Sequence, residues 1–338
     1  MTLGQTGRMA SFVSKIDQSA PVRPVPRLAI VVPCYNEEDA LPISASVLLK
    51  KLACLEKENF ISSGSKLVLV DDGSKDKTWQ IISALYTKEE PVVGLKLAHN
   101  KGHQNALLCG LMWSYRSGYG ATISIDADLQ DDVSVIDEML NQYRNGSEIV
   151  YGVRTDRQSD TQFKRNSAQA YYKFMKKLGV EIVYNSADFR LLSHTALEAL
   201  SCYPEVNLFL RGMIPSLGFA SSEVYYQRSK RVAGVSKYPL KKMISLAVDG
   251  ITSFSTKPLH IITLIGMLSV LIALVMLIYT VISVIMGHAV AGWGSLMVSI
   301  WLVGGFLISS VGITGEYVGK AYMESKHRPR YVIEKELK

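Results

Sequence analysis

The stretch "SKLVLVDDGSKDKTW", Ser65–Trp79, decides how the chain is read. Residues 67–70 are an unbroken apolar run, short and rich in valine and leucine, which predicts a buried parallel strand. Asp71, Asp72 and Gly73 form an acidic turn. Ser74 or Asp76 can cap the helix that begins next. Strand, acidic turn and helix thus follow one another within fifteen residues.

The same pattern recurs on both sides. "LAIVVPCYNEE" (28–38) reads as a strand ended by Pro33 and a loop, with helical spacing over 40–59. "VVGLKLAHNKG" (92–102) is a third strand and turn, followed by a helix over 103–117. "GATISIDADLQDD" (120–132) is a fourth strand ending in acid, then a helix over 133–145, then "EIVYGVR" (148–154) as a fifth strand. Alternation of this kind predicts an α/β fold, a mostly parallel Rossmann-like sheet with flanking helices. Ligands of such sheets bind beyond the carboxyl ends of the strands. The polar motifs YNEE, DDGS, HNKG, DADLQDD and YGVR all fall there, and together they predict one composite site. Further on, 164–178 has helical spacing, "NSADFRLLSHTALEAL" is a turn, strand and helix, and 218–242 is a strand running into a basic loop.

Composition divides the 338 residues. Residues 1–26 are polar and Pro-spaced and read as a flexible tail; 27–235 is the candidate catalytic domain. Residues 236–257 are amphipathic enough to lie in a membrane interface. Within 258–319, two apolar segments, about 259–286 and 294–318, each exceed the roughly 20 residues needed to cross a bilayer. Residues 320–338 form a basic tail. The link between the two segments holds no Lys or Arg, whereas Lys237, Lys241, Lys242 and Lys257 precede them and Lys320, Lys326, Arg328 and Arg330 follow. The positive-inside rule then places both flanks, and the large domain, in the cytoplasm at the inner or plasma membrane. The net charge of +7 fits an anionic membrane and a phosphate substrate. No nucleic-acid-binding motif accompanies it, which argues against nucleic acid as a partner. The four cysteines form no CxxC pair and no zinc spacing, and read as reduced thiols. No signal peptide is expected, since the N-terminus lacks a compact apolar core with a cleavage site.

Chemistry concentrates in DADLQDD. Residues i and i+2 at a strand end share a side, so Asp126 and Asp128 converge and Gln130 can add a carbonyl. Oxygen donors with open positions suit Mg²⁺ or Mn²⁺ completed by water and substrate phosphates. Asp71 is a candidate acceptor for a nucleobase N–H. Pro33, Tyr35 and Glu37 are candidates for the nucleotide pocket. Arg211 sits in an apolar setting ("NLFLRGMIP") where an unpaired charge is costly, which favours a phosphate partner. His103 and His194 read as structural.

Taken together, "VVPCYNEE", "LVDDGSKDKT", "NKGHQNAL", "DADLQD" and "DFRLLS" resemble the family 2 glycosyltransferases with a GT-A fold. "FLRG", "RVAGVSKY" and the terminal pair of spans narrow the resemblance to polyprenyl-phosphate glycosyltransferases, such as undecaprenyl-phosphate glucosyltransferases and dolichol-phosphate mannose synthases. The resemblance implies roles. Pro33, Tyr35, Glu37, Asp71, Lys101, Gly102 and Ala127 bind the nucleotide; Asp126, Asp128 and Gln130 hold the metal. Arg154, Arg165, Arg211 and Lys237 face phosphates of acceptor or donor. Asp128, Asp131 and Arg211 are the candidate catalytic residues, and Asp131 or Asp132 can contact sugar hydroxyls or serve as a base. Where relatives are Pro-rich after DADLQD, this chain has "DVSV".

The implied reaction is inverting, metal-dependent transfer of a sugar from a nucleotide-sugar, a UDP-sugar such as UDP-glucose first, to a polyprenyl phosphate. A homo-oligomer, such as a tetramer, is implied as well. A GDP-mannose-dependent synthase and a non-catalytic partner of a flippase are the rival readings. A processive polysaccharide synthase fits less well, because the chain has no QxxRW and only two apolar segments.

Overall fold

In a computed structural model of the chain, residues 23–88, 91–155, 185–227, 257–286 and 292–338 are described. They fall into two compact units: the first holds the described residues up to 227 together with Pro329–Lys338, the second those between 257 and 328.

The first unit is an eight-stranded sheet in the order β7-β5-β6-β4-β1-β2-β3-β8. Its central strands are β1 (Leu28–Cys34), β2 (Lys66–Asp71), β3 (Val92–Leu97) and β4 (Ala121–Ser124). All four are parallel. Between them run α1 (Leu41–Lys57), α2 (Thr78–Lys88) and α3 (His103–Arg116). The strands are buried almost end to end, as expected of a sheet covered on both faces.

Pro33 lies inside β1 rather than ending it. The parity of the strand explains this. Val31 O accepts from Ile125 N on the β4 flank, and Cys34 O accepts from Asp72 N on the β2 flank. Pro33 therefore faces β4, whose last paired residue, Ser124, sits opposite Val31. The missing N–H falls where no partner strand remains.

Beyond β4 the sheet becomes mixed, and this corrects the simple parallel order. A 3₁₀ turn (Val133–Val135) leads into α4 (Ile136–Arg144) and β5 (Ile149–Arg154). The next strand, β6 (Ser186–Ser193), inserts between β4 and β5, antiparallel to both. Because β6 reverses direction twice over, β5 still points the same way as β1–β4. Ser193 Oγ accepts from Ala196 N and caps α5 (His194–Ser201). A short α6 (Leu210–Ser216) precedes β7 (Ser221–Tyr226), which is parallel to β5.

Two ends of this unit are more tightly held than the sequence suggests. Arg23 pairs with Glu148, donates to Ser147 O at 3.1 Å and lies over the Tyr143 ring. Arg23 is thus tied to the α4–β5 turn and Pro26 O accepts from Ser62 N, although the sequence assigns both to the tail. At the other end, β8 (Ile333–Leu337) pairs antiparallel with β3. Lys96 meets Glu334 at 2.9 Å, and the Trp113 indole donates to Glu336 Oε1 at 2.6 Å. The last residues of the expected basic tail are therefore an edge strand.

The second unit contains two long helices, α7 (Lys257–Ile285, 29 residues) and α8 (Trp293–Ser325, 33 residues). Among the described residues, one stretch, Leu302–Ser325, is long and apolar enough to cross a membrane. It extends past the expected end at Val318. Two spans were expected; α7 has the length for the other, with only part of its side chains described. The expected interfacial segment 236–256 and the helix over 164–178 lie outside the described residues.

Candidate active site

Polar loops follow β1 to β4 at the carboxyl ends of these parallel strands, and the fifth motif, YGVR, is the end of β5 itself. The first two are laced together. Asn36 N donates to Ser74 Oγ at 3.0 Å, Glu37 N to Thr78 Oγ1 at 2.9 Å and Glu38 N to Asp76 Oδ2 at 3.1 Å. In return Lys75 N donates to Asn36 Oδ1 and Lys77 N to Glu38 Oε2. Asn36 adopts φ 51°, a region asparagine tolerates. Of the two candidate caps, Asp76 caps α2, accepting from Thr78 N at 3.0 Å and Thr78 Oγ1 at 2.6 Å. Ser74 instead serves Asn36. Tyr35 is 36% exposed beside this lacing, open to a ligand.

The aspartate pair divides its labour. Asp72 accepts from Lys101 N at 2.7 Å and Gly102 N at 2.9 Å, fixing the loop after β3. Gly73, with φ 66°, makes this possible: a Cβ there would stand 2.7 Å from the backbone of His99 and Asn100. Asp71 Oδ1 accepts from Ser74 N at 3.0 Å, while Oδ2 is buried with no partner among the described residues. Burial raises the Asp71 carboxyl above its usual value, with the Ser74 hydrogen bonds opposing. An orphaned, buried acceptor oxygen suits a ligand N–H.

In DADLQDD burial alternates. Ala127, Leu129 and Asp131 are buried, whereas Asp126, Asp128, Gln130 and Asp132 are partly exposed. The three expected metal donors are thus the partly exposed members of the segment, which follows β4 as a turn. Leu129 takes φ 48°, a conformation costing a non-glycine residue about 1–2 kcal/mol. Its burial in the core helps hold it there. Gln130 N donates to Asp128 Oδ1 at 3.2 Å.

Asp126 is raised to about 6, first by desolvation and then by the carboxylates of Asp188, Asp131 and Asp128, with His103 opposing. Its side chain nevertheless keeps 36% of its surface open to solvent. Crowded, accessible carboxylates carry an excess of negative charge that a divalent cation relieves, so the donor set fits Mg²⁺ or Mn²⁺. Among the described residues no three His, Cys, Asp or Glu side chains form a closed metal cage. An open site completed by substrate oxygens needs none.

His103, which the sequence reads as structural, belongs to the site. Its Nε2 stands 3.6 Å from Asp126 Oδ1 and 3.4 Å from Asp188 Oδ2. Burial would lower its pKa, but the hydrogen bond to Asp188 and the charges of Asp126 and Asp188 raise it to about 9. His194 is structural as expected, its Nδ1 lying 3.1 Å from Tyr119 O.

Asp188 is the hub that sequence reasoning missed. The β4–β6 register sets Ser124 opposite Arg190, and extending it sets Asp126 opposite Asp188. Asp188 receives Arg190 Nη2 at 2.5 Å, Arg211 Nη2 at 3.0 Å and Arg211 Nε at 3.2 Å. Desolvation pushes its carboxyl upward, but Arg211, His103 and Arg190 outweigh this and hold it well below the usual range. The signal for it in the sequence is the motif "DFRLLS", which holds both Asp188 and Arg190.

Arg154 is likewise held by a carboxylate, Asp131. Arg154 and Arg211 were expected to face phosphates; each is anchored on an aspartate and remains partly exposed, at 25% and 34% of its side-chain surface. Lys101 and Gly102 sit where Asp72 holds them, and Pro33 lies within β1, one residue before Cys34, which pairs with Asp71. Arg165 and Lys237 lie outside the described residues.

The site thus joins an orphan acceptor for a base, an acidic strand end able to take a cation, and anchored arginines. Such a set has the chemistry to take anionic groups beside a cation. Comparison with known proteins agrees at the level of family. Residues 29–201 match the glycosyl transferase family 2 model. The chain is 49% identical over 320 residues to an uncharacterized glycosyltransferase, YkoT, of Bacillus subtilis (strain 168), covering 95% of this chain and 93% of that one. It is 38% identical over 314 residues to the bactoprenol glucosyl transferase of Shigella phage SfV, covering 92% and 99%. Among solved structures, glucosyl-3-phosphoglycerate synthase from Mycobacterium tuberculosis matches with TM-score 0.45 and 15% identity, covering 68% of this chain and 79% of that one. The chain belongs to the family 2 glycosyltransferases and is a glycosyltransferase whose first unit has the GT-A α/β fold.

Proposed function

We propose that the chain transfers a sugar from a nucleotide-sugar, a UDP-sugar such as UDP-glucose, to a polyprenyl phosphate such as undecaprenyl phosphate, with inversion at the anomeric carbon. The observation that carries this reading is the placement of cationic side chains, Arg154, Arg211 and His103, around the acidic strand end of Asp126 and Asp128. Two anionic substrates must meet there, and anchored guanidinium groups relieve their repulsion. The names of the bactoprenol glucosyl transferase relatives, matched over almost their full length, support the lipid acceptor.

Asp126, Asp128 and Gln130 would hold Mg²⁺ or Mn²⁺. When bound, the cation stabilises the charge of the departing nucleoside diphosphate. Asp71 Oδ2 accepts from the base N–H, within a pocket shaped by Pro33, Tyr35, Glu37 and the loop of Lys101 and Gly102. An oxygen of the acceptor phosphate attacks the sugar C1. The bond from C1 to the donor's phosphate oxygen breaks, and its electron pair leaves with the nucleoside diphosphate. The attacking oxygen is already ionised at neutral pH, so no side chain needs to remove a proton. Arg154 and Arg211 orient the phosphates for in-line displacement. The catalytic unit lies at the cytoplasmic face of the inner or plasma membrane, anchored through α7 and α8 as two spans, in a homo-oligomer.

Purified full-length protein in detergent, with undecaprenyl phosphate and Mg²⁺, is offered radiolabelled UDP- and GDP-sugars singly, and label entering the organic phase is counted. Label from one donor, abolished by Asp128→Ala at unchanged protein level, is expected. Transfer from no donor, with the protein folded and UDP bound, would refute the polyprenyl-phosphate acceptor.

A further inference from the structure

Arg154 and Tyr226 are the last residues of β5 and β7 and lie opposite one another in register. Both reach Asp131. Its Oδ1 accepts from Arg154 Nη2 at 2.7 Å, from Arg154 Nε at 3.2 Å and from the Tyr226 hydroxyl at 2.5 Å. Arg154 Nε also lies 3.2 Å from the Tyr226 hydroxyl. One carboxylate oxygen thus takes every donor, while Oδ2 is buried without a partner.

Tyr226 is itself fixed before it meets Asp131. Its ring meets Phe189 edge-on, with centroids 5.6 Å apart and an interplanar angle of 81°. Gly152 provides the space, since a Cβ there would fall 2.9 Å from Phe189 and 3.1 Å from the Tyr226 ring. Thr155 N and Oγ1 both donate to Tyr226 O, at 2.9 Å and 3.0 Å. The hydroxyl is therefore delivered to Asp131 by a rigid ring.

This arrangement leaves Asp131 ill suited to act as a base. Its side chain is 1% exposed, and its paired oxygen is occupied by a guanidinium. It is well suited to fix that guanidinium. The Nε–Nη2 edge of Arg154 is engaged, Nη1 makes no hydrogen bond to the described residues, and a quarter of the side chain is exposed. An arginine restrained along one edge presents the other in a set direction, which a flexible one does not.

We propose that Asp131 and Tyr226 are positioning residues that hold Arg154 with its Nη1 edge presented to a phosphate oxygen in the strand-end cleft. This rests on the reading above that the cleft receives phosphate-bearing substrates, and it assigns Tyr226 a part that the sequence motifs do not.

The test measures binding of two probes, undecaprenyl phosphate and UDP with Mg²⁺, to the full-length protein in detergent, alongside steady-state transfer. Tyr226→Phe keeps the ring and removes only the hydroxyl. It is expected to weaken one probe about tenfold, the worth of a charge-assisted hydrogen bond, and to leave the other within twofold. KM should rise for the corresponding substrate with kcat changed less than threefold. In an Arg154→Gln background the same substitution should add nothing. Asp131→Asn, which retains an acceptor oxygen, should behave as Tyr226→Phe does and provides the measurement should that variant misfold. Unchanged affinity for both probes in Tyr226→Phe, or full additivity with Arg154→Gln, overturns the proposal. So does a thousandfold loss of kcat in Asp131→Asn with both affinities intact, the signature of a base. A wild-type protein that binds UDP but neither binds nor uses undecaprenyl phosphate defeats the acceptor reading alone, and the cycle read on UDP then decides the clamp.

Discussion

Replacing Asp188 by alanine removes the counter-charge of three cations at once. Arg190 bears the largest consequence, because its side chain is 2% exposed and meets Asp188 at 2.5 Å. Burial and the nearby Arg211 already pull the Arg190 pKa below its ordinary value, with Asp188 opposing. Breaking a buried pair by deleting one member costs about 3–5 kcal/mol, since the other charge is left without compensation. In a domain of this size each kcal/mol moves the midpoint by about 2–4 °C. Asp188→Ala should therefore lower Tm by roughly 6–20 °C, measured by fluorescence on heating at a fixed rate in one detergent. The pH dependence has a definite sign. The Asp188 carboxyl is held below its usual 3.8, so its contribution is fully present above that pH and is lost only as the solution falls through the lower, folded value. The gap between wild type and variant should stay level from neutral pH down to about 4 and close below it. Replacing both members, as Asp188→Leu with Arg190→Met, should recover most of the loss. A fall under about 2 °C, or a double variant no better than the single, would refute the hub as a stabilising centre.

Three further outcomes follow from the same contacts. His103 is raised from 6.5 to about 9, so its interactions stabilise fully below the lower value and fade as pH rises through the upper one; the Tm difference between wild type and His103→Gln should be widest near pH 6 and vanish near pH 10, and a gap independent of pH would contradict the charged bridge. Gly73→Ala forces a residue at φ 66° against the His99–Asn100 backbone, which should cost about 1–3 kcal/mol and weaken UDP binding, read by thermal melting and titration calorimetry. Deleting residues 333–338 strips β3 of its partner and the Trp113 indole of Glu336, so tryptophan emission should shift to longer wavelength as Tm falls; an unchanged spectrum would mean the strand is not docked in solution.

The sequence carried the strand-end site because its signals are local. Asp126 and Asp128 come two and four residues after the end of β4, and Asp71 is the last residue of β2. What escaped depends on long-range register. Nothing near Asp188 says that β6 runs backwards between β4 and β5, yet that insertion alone brings it opposite Asp126. His103 looked structural because its two carboxylate partners are 23 and 85 positions away along the chain. Tyr226 lay in a run of alternating residues that reads as an ordinary edge strand, and its link to Asp131 spans 95 positions.

The same distinction explains how a basic protein tolerates so acidic a cleft. Each aspartate at the strand ends has a separate duty fixed by what already occupies it. Asp72 is filled by two backbone N–H groups, Asp188 by two arginines and a histidine, and Asp131 by an arginine and a tyrosine. These three shape the cleft. Among the described residues Asp71 Oδ2, like Asp131 Oδ2, has no hydrogen-bond partner, but Asp71 is held by no cation at ion-pair distance, and Asp126 is left crowded and partly open. An unfilled acceptor and a carboxylate raised to about 6 are costs to the folded protein without ligand. On the function proposed above, a base N–H and a cation would relieve them, which is how a binding site differs physically from a structural ion pair of the same residue types.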